Sequence, residues 1–141
     1  MAERECRLLR PGAGIHGKQG LDYVQGVSAE TAGAQALCLQ TLSIPPGGRA
    51  RAHFHAGHES AIYVVSGEVA LWYGVRLEHR LDGRAGDFFY VPAGVPHLPV
   101  NLSDTTPVQA VIARTDPNDQ ERVVNLPELD ALPHLAAEAE A

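Results

Sequence analysis

Along most of the chain, apolar residues alternate with polar ones in short runs, and glycine, proline, aspartate or asparagine punctuate those runs. Alternation with period two is the signature of a strand with one face buried, and Gly/Pro-rich punctuation marks the turns between strands. Residues 21–27 read as a first strand, residues 28–33 as a turn or a single helical turn, and residues 34–44 as a longer strand stopped by Pro45-Pro46-Gly47. The β-branched run 60–65, the tripeptide Ser66-Gly67-Glu68 and the run 69–73 predict a hairpin. A more polar connection follows from Gly74 to Leu81, with turn chemistry at Asp82-Gly83 and Ala85-Gly86-Asp87 before the strand 88–91. Pro92-Ala93-Gly94-Val95-Pro96 is then a rigid turn that delivers His97 to the start of another strand. A last strong strand, 108–113, is broken by Asp116-Pro117-Asn118-Asp119.

The pattern predicts an all-β fold, an antiparallel double-sheet jelly roll with its apolar faces inside. Residues 1–18 form an irregular arm, 19–125 the barrel, and 126–141 a C-terminal extension. In that extension 126–132 could make a short helix with Pro127 in its first turn, and the Ala/Glu-rich tail 133–141 is expected to fray. With 141 residues, 45% of them hydrophobic, one domain with its own core is expected.

Charge and composition remove several classes of function. The net charge is −6 and no Lys/Arg cluster with interleaved aromatics occurs, so nucleic acid is not an expected partner. No apolar run reaches the roughly 18 residues that a bilayer demands, and the N-terminal residues lack a signal-peptide layout; a cytoplasmic protein is expected. Cys6 lies in a polar segment and Cys38 in the apolar run Ala36-Leu37-Cys38-Leu39, which suits a core thiol better than a disulfide. Gly17-Lys18 is followed by Gln19, not the Ser/Thr of a phosphate cradle. No Gly-x-Ser-x-Gly elbow for a nucleophilic serine occurs either.

The chemistry concentrates in the segment from Gly47 to Glu59. His53 and His55, one residue apart on a strand, project from the same face and send Phe54 the other way. With His58 close behind, they make an imidazole cluster suited to a first-row divalent metal. His16, His79 and His134 belong to no such constellation and are expected in solvent. Phe54, Tyr63, Trp72 and Phe89 are core or pocket wall.

Two spaced patterns resemble the cupin family. Gly47, His53, His55, Glu59 and Gly67 are similar to its first motif, and Gly86, Pro92, Gly94, His97 and Asn101 match its second without adjustment. The resemblance implies one metal inside the barrel, held by the positions of His53, His55, Glu59 and His97. The carboxylate position is the departure. If three residues follow His55 the motif reaches Glu59 and its closing glycine comes one residue late; if four follow, the position falls on Ser60, a poor ligand. Strand parity pairs His58 with Ser60 and so favours His58 as the fourth ligand, whereas a one-residue shift at Ala56-Gly57 restores Glu59. Asn101 reads as a strand-end hydrogen-bonder.

One divalent transition metal per chain is therefore expected, zinc, iron, manganese or nickel, with positions open to a small-molecule substrate. His53, His55 and His97 are the candidate catalytic residues. The expected activity is Lewis-acid chemistry on a carbonyl, enol or phenol compound, like that of the polyketide cyclases or isomerases in the family. A non-haem iron dioxygenase is the alternative, and a non-catalytic sensor or carrier the alternative from another class. The resemblance also implies a homodimer.

Overall fold

Two antiparallel sheets enclose the interior in this computed structural model, which describes residues 5–12, 14–118 and 122–135. One sheet contains β1 (Gly14–His16), β2 (Asp22–Val27), β3 (Cys38–Ile44), β5 (Ser60–Ser66), β8 (Phe88–Val91) and β10 (Val108–Arg114), in the order β1-β2-β3-β10-β5-β8. The other contains β4 (His53–His55), β6 (Glu68–Tyr73), β7 (His79–Arg84), β9 (His97–Asn101) and β11 (Val123–Asn125), in the order β11-β4-β9-β6-β7. This is the expected all-β jelly roll. A single helical turn, α1 (Ala29–Ala32), is closed by a capping box in which Ser28 and Thr31 satisfy each other's backbone N–H groups.

Strand parity builds the interior. Tyr23, Leu42, Ile44, Val64, Val69, Val108, Ala110 and Ile112 all turn inward and form the main core. On β3 and β10 the buried positions alternate with open ones along the whole strand. Cys38 is fully buried and Cys6 exposed, and no disulfide joins them.

Four local expectations are corrected. Strands β5 and β6 are not a hairpin: β5 pairs with β10 and β8, whereas β6 pairs with β7 and β9 in the opposite sheet. The chain changes sheets at Gly67, whose φ of 92° lies in the left-handed region, and where a Cβ would stand 2.7 Å from the Pro107 carbonyl oxygen. Asp82 and Gly83 are not a turn but lie within β7, paired across to Ala70 and Val69. Gly83 is there because the Phe89 ring lies over it and occupies the place where a Cβ would sit. The arm is not wholly irregular, since β1 adds an edge strand to β2.

The fourth correction concerns His134 in the C-terminal extension. The short helix expected over 126–132 is present as one 3-10 turn, Pro127–Leu129, with Pro127 at its start, and the extension packs against the outer face of the second sheet. Trp72, Leu98 and Val100, on the outward parity of β6 and β9, are buried there beneath Leu129 and Leu135. His134 is half-buried, its Nε2 2.9 Å from the Leu77 carbonyl oxygen and its ring against Trp72, so it is not in open solvent. His16 and His79 are exposed as expected. Of the tail expected to fray, residues 136–141 lie outside the described residues.

Docking of the extension also fixes the strand that carries the paired histidines. The Asp130 carboxylate accepts from the Ala52 backbone N–H at 2.6 Å, and Leu126 N–H donates to the Ala52 carbonyl at 2.8 Å. Both contacts grip the residue immediately before β4.

Candidate metal centre

His53 and His55 open and close β4, on one face, while Phe54 faces away. His97 begins β9 directly opposite His53 in the antiparallel register. Consecutive inward positions on one strand and a cross-strand partner on the next are thus enough to bring three imidazoles together. Ring centroids stand 4.3 Å apart for His53 and His97, 5.1 Å for His53 and His55, and 5.3 Å for His55 and His97. One nitrogen from each lies within 4.8 Å of the others, and all three side chains are buried.

Backbone carbonyls orient two of the rings. His53 Nδ1 stands 2.6 Å from the Arg51 oxygen, and His97 Nδ1 2.9 Å from the Val95 oxygen. A carbonyl oxygen only accepts, so each Nδ1 carries the proton and each Nε2 keeps its lone pair. This is the outer-shell arrangement that fixes a metal-binding tautomer. His55 Nδ1 is buried with no hydrogen-bond partner.

The surroundings keep the rings neutral. Burial holds His53 well below the ordinary histidine range, the neighbouring His97 adds to this, and the Arg51 carbonyl offsets part of it. Burial lowers His55 too, with the Arg114 charge as the next cause. His97 is pushed down to about 4, by burial first and against the opposing effect of the Val95 carbonyl. Three neutral imidazoles, two of them with lone pairs oriented by backbone carbonyls, are the kind of donor set that a divalent transition metal takes, and the trio fits such an ion.

Neither remaining candidate belongs to the trio whose ligand nitrogens lie within 4.8 Å of one another. His58 is buried beside His55, ring centroids 5.0 Å apart, with Nδ1 3.5 Å from Asp116 Oδ2. Burial lowers its pKa and the Asp116 charge partly restores it. Glu59 is on the outside, where its carboxylate accepts from the Tyr90 hydroxyl at 2.8 Å. Ser60, at the next inward position, is buried.

A cavity of about 40 Å³ lies against the trio, walled mainly by the apolar core residues of both sheets. Ser60 and Arg114 also line it. Arg114, buried at the end of β10, has its Cζ 5.8 Å from the Tyr23 ring centroid. Sequence reasoning passed over Arg114, although it continues the inward parity of Val108, Ala110 and Ile112. By sequence alone Asp116 is only a strand breaker.

Comparison with known proteins agrees with this architecture. The family model described as "Cupin domain" matches residues 40–113, more than half of the chain. The protein belongs to the cupin family. Among solved structures, it is similar to an oxalate oxidase in complex with the substrate analogue glycolate, with TM-score 0.65, 21% identity, and coverage of 78% of this chain and 57% of that one. Oxalate decarboxylase from Bacillus subtilis gives TM-score 0.68 and 20% identity over 92% of this chain and 34% of its own. A putative sugar phosphate isomerase from Acidithiobacillus ferrooxidans gives 0.53 and 23%, over 66% and 58%. This cupin thus spans between about a third and three-fifths of these relatives' lengths. At such identities the likeness is one of fold. No curated protein sequence is significantly similar to the chain. Among the described residues, no helix is long and apolar enough to cross a membrane.

Proposed function

We propose that this cupin is a metal-dependent enzyme in which His53, His55 and His97 hold one divalent transition-metal ion. Its substrate would be a small molecule presenting a carbonyl, enol or phenol oxygen, converted by cyclase-like or isomerase-like chemistry. The buried trio, with the Nε2 lone pairs of His53 and His97 set by backbone carbonyls, carries this reading. When bound, such an ion supplies Lewis acidity toward a carbonyl or enolate oxygen. The protein's own part is to keep the imidazoles neutral and oriented and to exclude water with the apolar walls of the cavity.

Of the two candidates for a fourth ligand, His58 is favoured. It is buried beside His55, whereas Glu59 is exposed and engaged by Tyr90. Among the four expected ions manganese is one to test early, since a Bacillus subtilis oxalate decarboxylase has Mn(II) centres.

Metal analysis of the purified protein, followed by turnover assays on enolisable acids, ketones and phenols, tests the proposal. Anaerobic turnover with zinc is the expected result. Oxygen consumption that depends on iron(II) would move the protein to the dioxygenases. Thermal stabilisation by small acids or phenols that are never converted would make it a sensor or carrier. The homodimer implied by family resemblance is checked by sedimentation at micromolar concentration, where a monomer would remove it.

A further inference from the structure

His58 and Asp116 meet between two segments that the fold knits together around their contact. Ala56 N–H donates to the Arg122 carbonyl at 2.9 Å, Thr115 N–H donates to the Glu59 carbonyl at 3.2 Å, and Glu59 N–H donates to the Thr115 hydroxyl at 3.1 Å. The loop after β10 is also tied to α1, where Ala29 N–H donates to the Pro117 carbonyl at 2.8 Å. Gly57, at φ 78°, makes the tight turn before His58, and the Arg122 guanidinium lies 2.9 Å from where a Cβ on that glycine would stand. Within this frame His58 and Asp116 are both more than nine-tenths buried. Asp116 Oδ1 accepts from Asn118 N–H at 2.8 Å, which leaves Oδ2 to face His58 Nδ1 at 3.5 Å and Arg122 Nε at 3.6 Å. At that separation His58 Nδ1 makes no hydrogen bond. A charge-assisted N–H···O bond is about 2.7–2.9 Å long, so a shift of less than about 1 Å closes the contact.

We propose that Asp116 is the positioning residue for the fourth ligand, its carboxylate holding the His58 ring with the proton on Nδ1 and the lone pair on Nε2. The inference rests on the reading of His58 as that ligand. An ionised carboxylate only accepts, so it selects the Nδ1-protonated tautomer. His53 and His97 are set in the same tautomer by the backbone carbonyls of Arg51 and Val95, each two residues earlier in the chain. For His58 a side chain from a distant loop takes the place of that local carbonyl. After burial, Asp116 is the largest influence on the His58 ring, and it acts in the opposite sense. A carboxylate behind a ligating imidazole also makes the free nitrogen more basic, which strengthens its bond to a metal. Glu59 is turned outward to Tyr90, so the acidic group that stands next to His58 comes from the loop after β10 instead. An asparagine at 116 would keep the Oδ1 bond to Asn118 N–H and turn its amide N–H toward His58, which favours the opposite tautomer.

Zinc competition titrations on Asp116→Asn, His58→Ala and the double variant test this, together with two-bond proton–nitrogen correlation spectra of the metal-free full chain at about pH 8, where neutral imidazole prevails. Asp116→Asn is expected to weaken zinc binding about five- to tenfold, and to cost less than about twofold once His58 is alanine, because a residue that acts through another has no effect when that other is gone. In the spectra His58 should carry its proton on Nδ1 in wild type and on Nε2 in Asp116→Asn. A loss of equal size in both backgrounds would make Asp116 part of the loop's framework only and overturn the inference. Zinc affinity within about twofold of wild type in Asp116→Asn, beside a loss of about tenfold in His58→Ala, would also overturn it and leave the ligand reading standing. If His58→Ala binds zinc as wild type does, or if wild type takes up no metal, the ligand reading fails and the tautomer decides: a switch from Nδ1 to Nε2 in Asp116→Asn upholds the grip of Asp116 on His58, and an unchanged tautomer refutes it. Should Asp116→Asn not fold, the wild-type spectrum decides, Nδ1 protonation of His58 supporting the inference and Nε2 protonation refuting it.

Discussion

Replacing Asn101 should destabilise the barrel more than almost any other single polar substitution. Its side-chain amide donates toward three backbone carbonyls, Ile44 at 3.2 Å, Pro45 at 3.1 Å and Thr106 at 2.8 Å, and its carbonyl accepts from Ser103 N–H at 2.9 Å. Ile44 ends β3 in one sheet while Asn101 ends β9 in the other, so one buried side chain ties the two sheets together. Each such bond contributes about 1 kcal/mol net, and a buried partner left unpaired costs about 1–3 kcal/mol. Some of the freed carbonyls will find water, which puts Asn101→Ala at roughly 3 kcal/mol of lost stability. Asn101→Asp keeps the shape but offers a carboxylate, with no N–H, to three carbonyl oxygens, and should be worse than alanine. Urea denaturation of metal-free protein, followed by circular dichroism and tryptophan fluorescence, measures both. A loss below about 1 kcal/mol for alanine, or aspartate tolerated better than alanine, would show that this cross-sheet tie is not what holds the strand ends.

Other outcomes follow from the same geometry. His53→Ala or His97→Ala should reduce bound metal to less than about a tenth of wild type, His58→Ala should weaken affinity by about tenfold, and Glu59→Ala should leave it unchanged; inductively coupled plasma mass spectrometry on dialysed protein checks all four. The stability of metal-free protein should fall in acid. His97 protonates near 6.5 when unfolded and only near about 4 when folded, so the unfolded chain takes up its proton first. Its contribution is therefore complete above about pH 6.5 and is lost as the pH drops toward about 4, by roughly 3 kcal/mol. His53 and His55, lowered in the same direction, add to the loss, and denaturation midpoints that stay flat across that window would contradict the buried-neutral assignment. Asp130→Ala removes the carboxylate that holds Ala52 N–H and should cost about 1–2 kcal/mol. Because Ala52 leads into β4, metal affinity should fall with it, and Asp130→Asn should recover part of both in thermal-shift and metal titrations.

Several features were decided by the residues themselves. The period-two spacing of His53 and His55 sets them on one face in any strand, and the proline-flanked turn before His97 delivers that histidine at a strand's first position wherever the strand lies. The two glycine-spaced motifs carried the family, and the alternation of Val108, Ala110 and Ile112 carried the all-β class. Periodicity states which way a side chain faces, however, and not which strand will stand opposite. Only tertiary structure could put β5 and β6 in opposite sheets, because that depends on Gly67 crossing against Pro107 rather than on the runs at either side. The same holds for β7, whose polar residues are poor strand formers by themselves and pair because β6 offers an edge. The extension from Leu126 to Leu135 looks like a marginal helix until the outward faces of Trp72 and Leu98 give it a surface to cover. Contacts between distant segments likewise bury His58 beside Asp116, leave Glu59 outside with Tyr90, and set Arg114 across from Ser60. Those pairings join residues about 30 to 60 positions apart, and no local pattern records them.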